Sequence, residues 1–168
     1  VKIHLEKGLS VFTLNHRGSG YCQVWLSDKV KKLELLYDID SGYWGSKAAT
    51  ITAEDDYYLD VSGNDLWTVQ VTQPRYNYAQ GAPVSFSGQG QQVSGFFSLE
   101  AGPATFSITH DGWLDFNVWL FRNDGAKLER IVSTYGIYDQ STTMNITKKG
   151  VYVLDIQADG NWKIDISQ

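Results

Sequence analysis

Residues 150–168, GVYVLDIQADGNWKIDISQ, carry the reading that decides the fold. Tyr152, Leu154 and Ile156 alternate with other residues, Ala158-Asp159-Gly160 makes a turn, and Trp162, Ile164 and Ile166 resume the alternation. A period of two with one apolar side is the pattern of antiparallel strands buried on one face and wet on the other. Residues 55–73, DDYYLDVSGNDLWTVQVTQ, have the same layout. A shift of 95 sets Tyr57, Leu59, Asp60, Trp67 and Gln73 on Tyr152, Leu154, Asp155, Trp162 and Gln168. Such self-similarity means one structural unit present twice.

The match extends upstream. A shift of 94 places Leu5, Glu6, Gly8, Phe12, His16, Gly18, Val24, Trp25 and Leu26 on Leu99, Glu100, Gly102, Phe106, His110, Gly112, Val118, Trp119 and Leu120. Lys32, Leu33 and Glu34 fall on Lys127, Leu128 and Glu129 at 95, the extra residue lying in the Asn123-Asp124-Gly125 turn, where insertion is tolerated. Residues 1–73 therefore read as a first repeat, 74–83 as a Pro- and Gly-containing linker and 84–168 as a second repeat. Val84-Ser85-Phe86-Ser87 and Gln92-Val93 read as an opening strand that the first copy lacks. The repeat is accordingly expected to be longer than residues 1–73, and the chain to be cut from a longer array with further domains. About seven short strands per unit, with turns every 8 to 12 residues or so, suit a sandwich. The expected fold is all-β: two tandem antiparallel β-sandwich repeats with jelly-roll or Greek-key connections.

Composition narrows the partners. Lys plus Arg number 14 against 19 Asp plus Glu, a net charge of −5. The densest basic run, Lys29-Val30-Lys31-Lys32, is short and reads as a solvated hairpin, so nucleic acid is not an expected partner. Cys22 stands alone, which excludes an internal disulfide and a cysteine zinc site. No apolar run approaches the roughly 18 residues that span a bilayer, so no membrane insertion is expected.

Two stretches together carry a family resemblance. Gly150–Gln168 runs as a Gly-x-Tyr-x-Leu strand, a Gly turn and a last alternating strand; Phe106–Leu120 runs as a Phe strand, a short Gly turn and a Phe-x-Val-x-Leu strand. This arrangement resembles pre-peptidase C-terminal-like domains. The resemblance implies a small β-sandwich attached to secreted enzymes or surface proteins, an accessory binding or targeting domain, with calcium in some members. Here the loop where calcium would be expected has no acidic cluster, and neither a metal nor another cofactor is expected.

Candidate chemistry is sparse. His16 and His110 recur, but each lies two residues beyond an apolar pair on the same strand face, just before a glycine, and reads as a strand-end histidine bonded to a turn carbonyl. His4 shows no partner. Carboxylate pairs for glycoside chemistry (Asp38 with Asp40, Asp55 with Asp56, Asp111 with Asp115) are not reproduced between copies or point to opposite faces. Asp60 and Asp155 do recur, facing away from the apolar row toward a cross-strand lysine or solvent. No catalytic residue is assigned, and the chain is expected not to be an enzyme.

Aromatic residues remain. Trp67 and Trp162 share a face with Val69 and Val71 or Ile164 and Ile166 and read as core. Trp25 and Trp119 point outward, either covered or exposed as platforms. Tyr43, Trp44, Tyr135 and Tyr138 read as loop aromatics, with Trp113 on a turn. Planar rings near Gln, Asn and Asp suit sugars, whose CH faces stack on the π surface while amides and carboxylates take hydroxyls. These seven aromatics are the expected ligand-binding residues of a non-catalytic extracellular or cell-surface domain for polysaccharide or another surface polymer. The alternative is a structural spacer with no small ligand.

Overall fold

The computed structural model describes residues 1–63 and 65–168, and every regular element among them is a β-strand. The chain divides into two compact units, Val1–Gln73 and Pro74–Gln168.

The first unit contains β1 (Lys2–Leu5), β2 (Gly8–Arg17), β3 (Cys22–Ser27), β4 (Lys32–Ile39), β5 (Tyr43–Ile51), β6 (Asp55–Gly63) and β7 (Leu66–Thr72). They form two antiparallel sheets, β1-β6-β3-β4 and β5-β2-β7. Only the β3–β4 hairpin stays within one sheet; every other connection crosses to the opposite one. That crossing brings the inner rows of both sheets together: Phe12 and Leu14 from β2, Val24 and Leu26 from β3, Ile51 from β5 and Leu59 from β6 share one buried cluster. Asp28 builds the hairpin turn, its Oδ1 accepting the amides of Val30 and Lys31 at 2.7 and 2.8 Å.

At the β1 edge, His4 Nδ1 lies 3.2 Å from Asp56 Oδ1 and Nε2 lies 3.4 Å from Glu54 Oε1, so the sequence reading that left it without a partner is corrected. Hydrogen bonds to Asp56 and Glu54 hold the imidazole above its ordinary pKa. Charged His4 therefore favours the folded state; its contribution is complete below the unfolded value of 6.5 and fades as pH rises through the raised folded value. The advantage of wild type over His4→Gln in urea midpoint should shrink between about pH 6 and about pH 8. An advantage that stays constant or grows over that range would contradict this.

The second unit contains β8 (Gln80–Gly81), β9 (Val84–Gln89), β10 (Gln92–Val93), β11 (Phe97–Leu99), β12 (Gly102–His110), β13 (Asp115–Arg122), β14 (Lys127–Tyr135), β15 (Tyr138–Ile146), β16 (Gly150–Gln157) and β17 (Asn161–Ser167). Its sheets run β14-β13-β16-β11-β8, with β10 also on β16, and β15-β12-β17-β9. Strands β11 to β17 occupy the same relative places as β1 to β7. The core again takes from both layers: Phe97, Phe106, Phe116, Val118, Leu154 and Ile164 are among its buried residues.

Residues 74–83 are integrated in this unit. Gln80 and Gly81 pair in parallel with Phe97 and Ser98, the Tyr76 ring lies 4.7 Å from that of Phe96, and Asn123 Nδ2 donates to Tyr76 O at 2.7 Å. The segment read from sequence as a linker thus contacts both the β11 strand and the 122–125 turn of this unit.

Candidate functional site

Several recurrent polar residues prove to be fasteners. Gln73 and Gln168 each clamp a backbone amide and carbonyl across their unit: Glu6 N donates to Gln73 Oε1 at 3.0 Å and Gln73 Nε2 to Glu6 O at 2.8 Å, while Glu100 and Gln168 repeat the pair at 2.7 and 2.8 Å. His16 Nδ1 meets Ser41 O and His110 Nδ1 meets Gly136 O, both at 3.0 Å, as the sequence predicted. Asp60 accepts the Ser27 hydroxyl at 2.5 Å instead of a lysine. Among the described residues, no three His, Cys, Asp or Glu side chains gather as a metal would require.

The predicted aromatics separate into three sets. Tyr43 and Tyr138 are strand residues, paired with His16 and His110 across β2–β5 and β12–β15. Their rings lie 5.7 Å from Tyr37 and 6.0 Å from Phe116 and pack on the cores, so they stand at strand starts and not in loops. Trp25 and Trp119 do face outward, half-buried, each just after a register shift in the β3–β4 or β13–β14 pairing that re-aims the strand. Cations cover both rings. Lys32 Nζ sits 4.7 Å from the Trp25 centroid; Lys127 Nζ and Arg130 Cζ sit 4.1 and 5.3 Å from that of Trp119. Neither indole is an open platform. Trp44 is exposed on β5, across from Asn15, whose side of the sheet has a depression of about 290 Å³ lined by Asn15, Arg17, Leu66, Trp67 and Thr68.

Trp113 and Tyr135 are brought together. The turns 111–114 and 136–137 lie side by side at one end of the second unit, joined where Gly136 N donates to Leu114 O at 2.8 Å and Asp115 pairs with Tyr135. Gly136 has φ 81°, a left-handed conformation that glycine takes at least cost. Trp113, Leu114, Tyr135 and Ile137 are 73, 56, 69 and 65% exposed, so these adjoining segments present four large apolar side chains to solvent. Sequence reading found the two aromatics and missed Leu114 and Ile137. Neither lies in the alternating pattern, and neither has an apolar counterpart in the first unit, where Ser19 and Gly20 stand at the 113–114 positions.

These segments rest on a bonded base. Asp159 Oδ2 accepts the Trp113 amide at 2.8 Å, and Asp111 accepts Asn161 N and Nδ2 at 2.7 and 2.9 Å. Asn161 donation draws the Asp111 carboxyl below its ordinary range. Burial pushes Asp159 up, but the amides of Trp113 and Leu114 outweigh it, and it too sits low. Behind them the His110 ring is buried and stacks on Phe116, centroids 4.2 Å apart and planes within 6°. Its Nδ1 lies 3.0 Å from Gly136 O, and its Nε2 lies 3.3 Å from Asp159 Oδ1 and 3.4 Å from the Gly160 amide nitrogen. The backbone of the 111–114 turn is thus bonded to both the 136–137 and the 158–160 turns.

Fold and surface together define a β-sandwich protein whose second unit exposes four large apolar side chains on adjoining segments. No family model and no curated protein matches the chain. Among solved structures it is similar to the pre-peptidase C-terminal domain of collagenase from Bacillus anthracis, at 13% identity and TM-score 0.40, with 56% of this chain and 99% of that one covered. It is also similar to PliG of Aeromonas hydrophila, a periplasmic inhibitor of g-type lysozyme, at 14% identity and TM-score 0.30 over 50% and 83% of the two chains. The secreted serine protease VesC of Vibrio cholerae matches at 10% identity and TM-score 0.36 over 98% and 47%.

Proposed function

We propose that this chain is a non-catalytic extracellular binding module whose second unit grips a polysaccharide or similar surface polymer through Trp113 and Tyr135. The observation that carries the reading is the exposure of both rings, Trp113 on the 111–114 turn and Tyr135 at the adjoining end of β14, on backbone that is already hydrogen-bonded. Stacking needs such rings open and oriented, and the exposed carboxylate of Asp115 and amide of Asn161 beside them are suited to sugar hydroxyls. The resemblance of Gly150–Gln168 to pre-peptidase C-terminal domains supports an extracellular setting. Trp44 offers a further exposed ring in the first unit, and two weak sites on one chain gain through tandem presentation.

Pull-down on insoluble polysaccharides tests this directly. Trp113→Ala and Tyr135→Ala should each weaken retention about tenfold, roughly 1.4 kcal/mol, without a change in melting temperature. Wild-type chain that is retained by no glycan at about 1 mM sites would sink the polysaccharide reading. A spacer role is the second reading, and Leu114 and Ile137 favour it: aliphatic side chains do not stack on sugars but do pack against a neighbouring protein. Under that reading Leu114→Ser and Ile137→Ser weaken assembly with that neighbour while glycan retention is nil throughout.

A further inference from the structure

We propose that the second unit carries a site for one oxyanion of an acidic sugar, a uronate carboxylate or a sulfate ester, in the depression between the 123–126 turn, the 147–149 turn and Tyr76. The depression measures about 280 Å³, at the small end of ligand pockets, and Arg122, Lys148 and Lys149 line it together with one carboxylate, Asp124. This excess of cations is local, because the whole chain carries a net charge of −5.

The walls of the depression are bonded to one another. Asn123 Nδ2 donates to Tyr76 O at 2.7 Å, its Oδ1 accepts the Tyr76 amide at 3.3 Å, and Asn123 N donates to Val151 O at 2.9 Å. Asp124 Oδ2 accepts Arg122 Nε at 2.8 Å and lies 2.6 Å from Nη2, which fixes the guanidinium, while Asp124 Oδ1 takes the Ala126 amide at 3.1 Å. The Arg122 bond holds the Asp124 carboxyl below its ordinary range, and the charge of Lys148 adds to the effect. Lys149 Nζ lies 2.8 Å from Glu100 Oε1, but both side chains are mostly exposed, and a pair of that kind is weak enough to be exchanged for a ligand. Lys148 is exposed and has no ion pair among the described residues.

The fold does not need these lysines. A shift of 95 sets Ala53, Glu54, Asp55 and Asp56 on Lys148, Lys149, Gly150 and Val151. Both turns are closed in the same way, Tyr57 donating its hydroxyl to Ala53 O and Tyr152 to Lys148 O. In the first unit the acids there are matched, Asp55 by Lys29 and Asp56 by Lys2 and His4. In the second unit the same positions bring two lysines to a depression that already holds an arginine, and positive charge gathered in a concavity favours an anion. The Tyr76 ring, 51% exposed and 4.7 Å from that of Phe96, stands beside it for the CH face of a sugar. An acidic sugar is favoured over an anionic bilayer or a nucleic acid, because those oppose a field of negative charge to the whole chain, whereas a sugar brings one oxyanion with an apolar face next to it. The inference goes beyond the reading given to Trp113 and Tyr135, which uses other turns.

The test is titration of the full chain, followed by amide NMR, with digalacturonate, a monosulfated lactose and neutral lactose at constant ionic strength. An acidic sugar should shift the amides of 123–126 and 148–151 with a dissociation constant of about 1–10 mM, and lactose should not. Shifts from only one of the two acidic sugars would support the proposal and say which oxyanion is bound. Lys148→Gln with Lys149→Gln should weaken binding about tenfold while the amides of Phe116 and Ile156 keep their positions, and Lys148→Arg with Lys149→Arg should retain it. Trp113→Ala should leave this titration unchanged, so the two readings fail separately. Equal binding of neutral lactose or of inorganic sulfate, undiminished binding by the glutamine variant, or no shift with either acidic sugar at about 20 mM would each overturn the proposal.

Discussion

Phe12→Ala is expected to unfold residues 1–73 while residues 74–168 stay folded. Phe12 is fully buried between the two sheets of the first unit, and in the sheet it is flanked by Lys47 on β5 and Val71 on β7. Truncating a buried phenylalanine removes its transfer free energy and leaves a cavity, about 3–5 kcal/mol together. A unit of this size holds only about 5–10 kcal/mol in total, and this one has a half-covered apolar row besides. The two buried clusters share no residue, so the loss should not pass to the second. Phe106→Ala should do the converse. Exchange rates read at Leu14 and Leu26 on one side and Phe116 and Ile156 on the other separate the outcomes. Simultaneous loss of protection in both sets for either variant would show that the two clusters do not fold on their own.

Gly160→Ala should both destabilise the second unit and disturb the 111–114 turn. A Cβ at 160 would lie 2.5 Å from Gly112 N, 2.6 Å from Gly112 Cα and 2.5 Å from Asp111 Oδ1. Two of those atoms are backbone, so no side chain can swing aside, and the 158–160 and 111–114 turns must part. Parting them breaks the Asn161–Asp111 bonds and the Trp113–Asp159 bond that hold the 111–114 turn. Forcing such an overlap costs about 1–3 kcal/mol, and at about 4–8 °C per kcal/mol the melting temperature of the unit should fall measurably. Retention on polysaccharide should fall with it, because the rings of Trp113 and Tyr135 lose their common base. Gly81→Ala is the control: its Cβ would meet nothing within 4 Å and its backbone is not left-handed, so stability and binding should be unchanged. A Gly160→Ala chain that melts and binds like Gly81→Ala would refute the role given to this turn.

Much of the fold was legible because burial on one face leaves a period of two in the residues. Tyr152, Leu154 and Ile156, then Trp162, Ile164 and Ile166, all point inward as that period demands. The histidines were legible too, since a polar ring at the end of an apolar row has few partners except a turn carbonyl. The contacts of residues 74–83 were not legible because β8 is two residues long, with no side-chain pattern to betray its parallel pairing with β11. Tyr43 and Tyr138 were misplaced in loops because their inward orientation follows from pairing with His16 and His110, a relation between strands far apart in sequence. Lys32 and Lys127 reach the outward tryptophans across hairpins whose bulges no local pattern announces.

Recurrence between the copies marks fasteners of the fold more than exposed surface. Residues held in common, among them Gln73 and Gln168, His16 and His110, close turns or clamp strand ends; the four exposed apolar side chains and Trp44 occupy positions where the copies differ. By itself the sequence determined that the chain is all-β, that it contains one pattern twice and which residues face inward, because side-chain alternation is a local consequence of strand geometry. Only the tertiary structure decided which tryptophans lie beneath cations and that the segments carrying Trp113, Leu114, Tyr135 and Ile137 adjoin. Those outcomes depend on which turns and strands become neighbours in space, and adjacency of that kind leaves no period in the chain.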